Sequence, residues 1–180
     1  DKINIKYASF SCYSNLANWR NDPRPIISSP SLSKQHGGVV NELSHEIDLA
    51  EYLVGPINSI SGHKWTNKYF SSGVDDSSSL LAFHSNSNIP SQINLSFSSS
   101  LEQRFIYIKT ANGTLLHYNH QSQELLRLKK GTILDKHQYT ETRNMSFRRQ
   151  LQSLLFKKDK LQHCNFDRAL HYQKLLNNLL

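Results

Sequence analysis

The run Gly37-Gly38-Val39-Val40-Asn41-Glu42-Leu43-Ser44-His45-Glu46-Ile47-Asp48-Leu49 constrains this chain more than any other segment. Val40, Leu43, Ile47, Ala50 and Val54 recur at 3-to-4 spacing, which puts them on one buried stripe of an amphipathic helix. The spacing predicts a helix over about 39–54. Gly55-Pro56 stops it, as a glycine beyond the last turn followed by proline does. Glu42, His45 and Asp48 sit three apart, on a face beside the stripe. With Glu46, the run gathers three carboxylates around one imidazole. A carboxylate one turn away orients an imidazole and favours its charged form, which suits proton transfer near neutral pH; a histidine that only ties the helix to a sheet by hydrogen bonds is the alternative, and the residues alone favour it. Gly37-Gly38 matches neither GxGxxG nor GxxxxGK and has no strand directly before it. Its plain meaning is close backbone approach at a helix start.

Around this helix the pattern alternates with period two. Ile3, Ile5 and Tyr7 alternate with polar residues and Phe10 extends the run, so a first strand is expected there. Further strands are expected near 57–66, 79–86, 91–99, 103–110, 114–119 and 123–129. Asn112-Gly113 between two apolar runs marks a tight hairpin. Phe105, Tyr107 and Lys109 oppose Arg104, Ile106 and Ile108, which implies contact on both faces of that strand. A helix is expected over about 137–158, with Phe147, Leu151, Leu154 and Leu155 as its stripe. A last one is expected over about 166–179, with Ala169, Tyr172, Leu176 and Leu179. Asn165 is placed as its N-cap. The sum is one α+β domain over residues 1–180: a mostly antiparallel open sheet with helices packed on one face. The other sheet face then needs a cover, and a second copy of the chain is the expected one.

The 180 residues suffice for a sizeable core, and 37% hydrophobic with 19% charged residues is globular rather than disordered. No apolar run approaches 18 residues, so no membrane span or membrane partner is expected. The first residue is Asp, which suggests a fragment or a processed chain. Cys12 and Cys164 read as free thiols in a reducing cytoplasm. The net charge of +7 is uneven: residues 1–100 hold 7 Lys+Arg against 8 Asp+Glu, and residues 101–180 hold 14 against 6. The positives are dispersed, and Tyr107, Tyr118 and Phe147 read as core rather than stacking platforms. A solvated face or one that attracts phosphorylated substrates fits better than a nucleic-acid partner.

In the long segment 13–36, Trp19, Arg20 and Arg24 could stack on a sugar ring and clamp an anion. A buried tryptophan anchor with surface arginines is the equal alternative. Lys34 is in reach of an anion near the glycine pair or is simply a surface lysine. Glu42, His45 and Asp48 could hold a divalent ion but lack the i, i+4 histidine pair of a zinc helix, so no metal is expected. His117, His120, His163 and His171 have no ligand spacing and read as surface residues.

The stretch from Leu16 to Gly55 also resembles the start of the C-terminal domain of Gfo/Idh/MocA (glucose–fructose oxidoreductase/inositol dehydrogenase-like) enzymes. The matching pieces are Leu16-Ala17-Asn18-Trp19-Arg20, Ser31-Leu32-Ser33-Lys34, Gly37-Gly38 through His45-Glu46-Ile47-Asp48, and Tyr52-Leu53-Val54-Gly55. The last two resemble the family's GG-(x)n-D-(x)n-HExDY-(x)n-WLxG signature, in the branch that handles sugars for surface polysaccharides. The resemblance implies NAD(P)-dependent oxidation or reduction of a sugar or nucleotide-sugar hydroxyl or carbonyl. It makes His45 the acid/base residue, with Glu42 beside it, or Asn41, where the family has an aspartate; Asp48, one turn on, either orients the imidazole or only bonds to a loop. Trp19, Arg20, Arg24, Lys34 and Asn41 become expected substrate contacts. It also implies that NAD or NADP binds an N-terminal Rossmann domain absent from this chain. The chain by itself is then expected to bind no cofactor and to be inactive, serving substrate binding and dimerisation. A non-catalytic basic module that binds nucleic acid or protein is the alternative.

Overall fold

The computed structural model describes residues 4–19, 30–33, 37–67, 73–85, 89–156, 166–177 and 179. Eight strands form one sheet in the order β2-β3-β4-β1-β5-β6-β7-β8. They are β1 (Ile5–Asn15), β2 (Ile57–Trp65), β3 (Ser77–His84), β4 (Pro90–Ser96), β5 (Ser98–Thr110), β6 (Thr114–Asn119), β7 (Glu124–Lys129) and β8 (Thr132–Gln138). Four helices accompany them: α1 (Val39–Glu42), α2 (His45–Val54), α3 (Arg143–Phe156) and α4 (Phe166–Asn177). Every neighbouring pair is antiparallel except β1 with β4. The chain is therefore the expected α+β domain with a mostly antiparallel open sheet.

The first strand runs on to Asn15, well past the end its sequence pattern suggested, and β1 becomes the centre of the sheet. Its alternation puts Ala8, Phe10 and Cys12 on one face, where they are buried. Ile93 and Leu95 of β4 and Leu80 and Ala82 of β3 continue that face. Val39, Val40, Leu43, Ile47 and Ala50 come down on it from α1 and α2, and Tyr172 and Leu176 from α4. This is the stripe that the 3-to-4 spacing foretold. Phe97, fully buried between β4 and β5, lets the chain turn past the end of β1: its N–H donates to Asp76 and its carbonyl accepts from Leu16.

Three expectations change. The helix over 39–54 is two helices, because the chain tightens at Leu43 and Ser44: Glu46 N–H reaches back only to Leu43 O and Ile47 N–H to Ser44 O. Residues 132–138 form a strand that the sequence pattern did not reveal, and the helix expected from 137 starts at Arg143. Three residues of the stripe expected for α3 stay out of the core: Phe147, Leu151 and Leu155 are exposed. Asn165, the expected cap of α4, lies outside the described residues.

Gly37 and Gly38 do what close approach requires. A Cβ on Gly37 would meet Ser31 O at 2.3 Å, and Gly38 has φ 105° beside the Asp75 carboxylate. That carboxylate accepts the Val39 N–H at 3.1 Å, so an internal anion already fills the start of α1.

Candidate active site

Glu46 organises the site. It follows Leu43 by three positions and precedes Ala50 by four, so it lies on the buried stripe of α2 and is 0% exposed. An unpaired carboxylate there would be costly. Arg104 of β5, the cross-strand partner of Cys12, meets it from below, with Nε 2.6 Å from Glu46 Oε1. His45 Nε2 approaches the same oxygen at 3.3 Å. Both are ion-pair approaches off the line of a good hydrogen bond, and Glu46 Oε2 meets no donor among the described residues. The His45 side chain is 48% exposed, so the pair has a sealed end at Glu46 and an open end at the imidazole. Such an imidazole can exchange a proton with a ligand while its neighbour stays dry.

Two further groups border the pair. The Cys12 thiol is pushed up to about 11 by burial first and by the Glu46 charge second, so it stays protonated and un-nucleophilic at neutral pH. His120, on the row of β6 beside Arg104, has its pKa lowered by burial and then by the Arg104 charge. The residue as a whole is exposed, as the sequence suggested, and adds a second imidazole beside the pair. Cys12, His45 and Glu46 each offer an atom within 4.8 Å of the others. Arg104 already neutralises the carboxylate and the thiol holds its proton, so this donor set suits proton chemistry better than a metal ion.

The other residues singled out by sequence lie elsewhere. Asp48, expected beside His45, instead accepts Arg168 Nη2 at 3.0 Å, while Glu51 accepts Arg168 Nε at 3.0 Å. These bonds pin α4 onto α2. Glu42 makes no side-chain bond among the described residues; the break at Leu43–Ser44 removes it from the turn below His45. The carboxylate that reaches His45 is thus Glu46, not Glu42 or Asp48. Asn41 Nδ2 donates to Gly37 O at 3.1 Å. Trp19 packs edge-on against Phe97, ring centroids 6.2 Å apart. Arg20, Arg24 and Lys34 lie outside the described residues, as do Cys164 and His163.

Sequence reasoning passed over Glu46 and Arg104 as a pair, although one signal was visible. Position 46 falls on the apolar stripe, and a carboxylate there demands a cation. Only the register of β1 with β5 says which cation answers.

The N–H at the start of α1 points at the Asp75 carboxylate, so that helix end does not receive a phosphate.

No protein-family model and no curated protein matches the sequence. Solved structures do match in fold. An inositol dehydrogenase homolog from Azotobacter vinelandii, complexed with NAD+, superposes with a TM-score of 0.62 at 10% identity, over 78% of this chain and 38% of that one. The WlbA dehydrogenase from Bordetella pertussis, in complex with NADH and UDP-GlcNAcA, gives 0.60 at 15%, over 97% and 50%. A super-repressor mutant of Gal80p from Saccharomyces cerevisiae gives 0.63 at 14%, over 90% and 47%. The chain spans half or less of each of these structures. The fold they share with it is that of the C-terminal domain of Gfo/Idh/MocA-type dehydrogenases.

Proposed function

We propose that this chain, built on the fold of that C-terminal domain, is the substrate-facing half of an NAD(P)-dependent oxidoreductase acting on a sugar or nucleotide-sugar hydroxyl or carbonyl. The observation that carries the reading is the His45–Glu46–Arg104 arrangement: an open imidazole backed by a sealed carboxylate, itself held by a guanidinium. In the oxidative direction His45 takes the proton of the substrate hydroxyl, and in the reductive direction it returns it. Glu46 steadies the imidazolium that forms, and Arg104 holds Glu46 in place. NAD or NADP is the redox partner this reading calls for, and the reading assigns it to the N-terminal Rossmann domain that the resemblance implies. Structural neighbours crystallised with NAD+ or with NADH and a nucleotide sugar support the choice. Work on sugars for surface polysaccharides, in the cytoplasm, follows from the resemblance of residues 16–55.

In the complete oxidoreductase, His45→Ala should lower turnover by about 10²–10⁴-fold, the usual share of general acid–base catalysis. Cofactor affinity should stay unchanged. Full turnover in that variant would end the proton-transfer role.

The same reading includes self-association through the sheet face opposite the helices. There Tyr13, Phe105, Tyr107 and His117 form a connected aromatic cluster, with Tyr107 and His117 stacked at 4.3 Å. Burial already lowers the His117 pKa, and half-exposed aromatics clustered on one sheet face favour a second copy over water. Sedimentation should show a dimer that Tyr107→Lys dissociates; a strict monomer at high micromolar concentration would count against it.

The non-catalytic reading has one observation in its favour, the presence of the fold in a repressor protein. The cations argue against nucleic acid as the partner. Arg104, Arg127, Lys136, Arg149 and Arg168 each face a carboxylate and are not gathered for phosphates. Tight, salt-sensitive DNA or RNA binding would reverse this preference.

A further inference from the structure

The floor beside α2 changes character along its length. On the helix-facing side of β5 the side chains run Arg104, Ile106, Ile108. Register places Tyr118 of β6 against Ile106 and Leu116 against Ile108, with the His120 N–H donating to Arg104 O at 2.8 Å. At one end, Glu46 of α2 meets Arg104. At the other, Leu53 of α2 joins Ile106, Ile108, Leu116 and Tyr118 around a cavity of about 430 Å³. Glu46 to Leu53 is about 10 Å along a helix, and Arg104 to Ile108 about 13 Å along a strand. The same helix and strand border both ends, and a trough between them would be charged at His45 and hydrocarbon at Leu116.

We propose that this trough is a single site for a glycoside, with the sugar hydroxyl at His45 and an apolar aglycone, an aryl or short alkyl group, in the cavity. The sugar end rests on the oxidoreductase reading above; the apolar end rests on the cavity alone. The volume lies in the range of small-molecule sites. Tyr118 stands edge-on to Tyr139, centroids 6.2 Å apart, and offers a ring of the kind an aryl group packs against. Gln123 and Glu141 at the rim are engaged with each other. Gln123 Nε2 donates to Glu141 O at 2.7 Å, Glu141 N–H donates to Gln123 Oε1 at 2.8 Å, and the Glu141 carboxylate pairs with Arg149. A diphosphate placed there would meet the Glu141 carboxylate and no cation of the cavity lining. An apolar group loses nothing, and its burial is favourable.

The test is a titration of the chain followed by amide and imidazole NMR signals, with methyl β-D-glucopyranoside, phenyl β-D-glucopyranoside and phenol as probes. Phenyl glucoside should move the amides of Ile106, Leu116 and Tyr118 and the His45 ring signals at one common Kd. That Kd should lie at least about ten-fold below the value for methyl glucoside, from the added burial of the ring. Leu116→Gln, or Leu125→Gln if the first does not fold, should remove this advantage. Methyl glucoside at His45 with no phenyl advantage would overturn the trough and leave the oxidoreductase reading standing. Phenol in the cavity with no glycoside reaching His45 would strike that reading and take the single-site proposal with it. Cavity signals that shift with protein concentration alone would mean that a second copy fills the groove, which also overturns the proposal.

Discussion

In the β2-β3-β4-β1 half of the sheet, Phe10, Leu80, Ala82, Ile93 and Leu95 are all but sealed under α1, α2 and α4. In the meander from β6 to β8, no residue between Thr114 and Gln138 is buried, and every residue of β8 is exposed. Both halves are regular sheet. The first is held by burial, as a conventional core is. The second is held by its turns and its cross-strand pairs. Lys130 and Gly131 have φ 50° and 81°, the left-handed pair that a two-residue hairpin needs. Tyr107 stacks on His117, Glu124 pairs with Lys136, and Arg127 faces Asp135. Local chemistry can thus build strands that the rest of the described chain leaves bare. Bare strands with apolar residues are the surfaces left for ligand or partner, and the proposed glycoside cavity and self-association face both reach into them from β5.

The difference can be measured by truncation. Phe10→Ala in the covered half should cost about 3–5 kcal/mol in urea unfolding, the range for a fully buried aromatic. Leu134→Ala in β8, where the side chain is 52% exposed, should stay within about 0.5 kcal/mol. Comparable losses at both sites would show that the two halves are equally covered in solution.

Arg104 stands at the seam between the halves. Arg104→Leu leaves Glu46 sealed without its cation and should cost about 3 kcal/mol, the low end for breaking a buried pair because the Arg104 side chain keeps 28% exposure. Adding Glu46→Gln to that variant should restore part of the loss. A silent Arg104→Leu would mean that a cation other than Arg104 balances the buried carboxylate.

The smallest effect concerns pH and the covered half. His84 is 1% exposed, with Nδ1–H donating to Gly55 O at 2.5 Å and Nε2 accepting from Ser91 Oγ at 2.8 Å. Burial lowers its pKa below the ordinary value of 6.5. The unfolded chain therefore takes up a proton first as pH falls. The stability contributed by neutral His84 is fully present above about 6.5 and declines below it, down to the folded-state pKa. The slope is at most about 1.4 kcal/mol per pH unit. His84→Gln should flatten the urea midpoint between pH 7 and 5; an unchanged slope would assign the acid sensitivity to His117 and His120 in the bare half.

Much of the fold is legible in the chain itself. The stripe Val40, Leu43, Ile47, Ala50 names its own buried face, because a helix repeats every 3.6 residues and apolar side chains must leave water together. Alternation at Ile93 and Leu95, and Asn112-Gly113 at the hairpin, are equally local, so the antiparallel α+β class could be read directly. The missed strand β8 shows the limit: Ile133, Leu134 and His137 carry no burial signal because nothing in the described chain buries them. Asp48 and Glu46 show it more sharply. Sequence spacing put both near His45, but a break at Ser44, the register Cys12↔Arg104 and the docking of α4 through Arg168 turned one inward and the other away. Local periodicity is written in consecutive residues. Which cation meets which carboxylate is decided between strands and helices far apart in the chain, and only the packed structure brings those together.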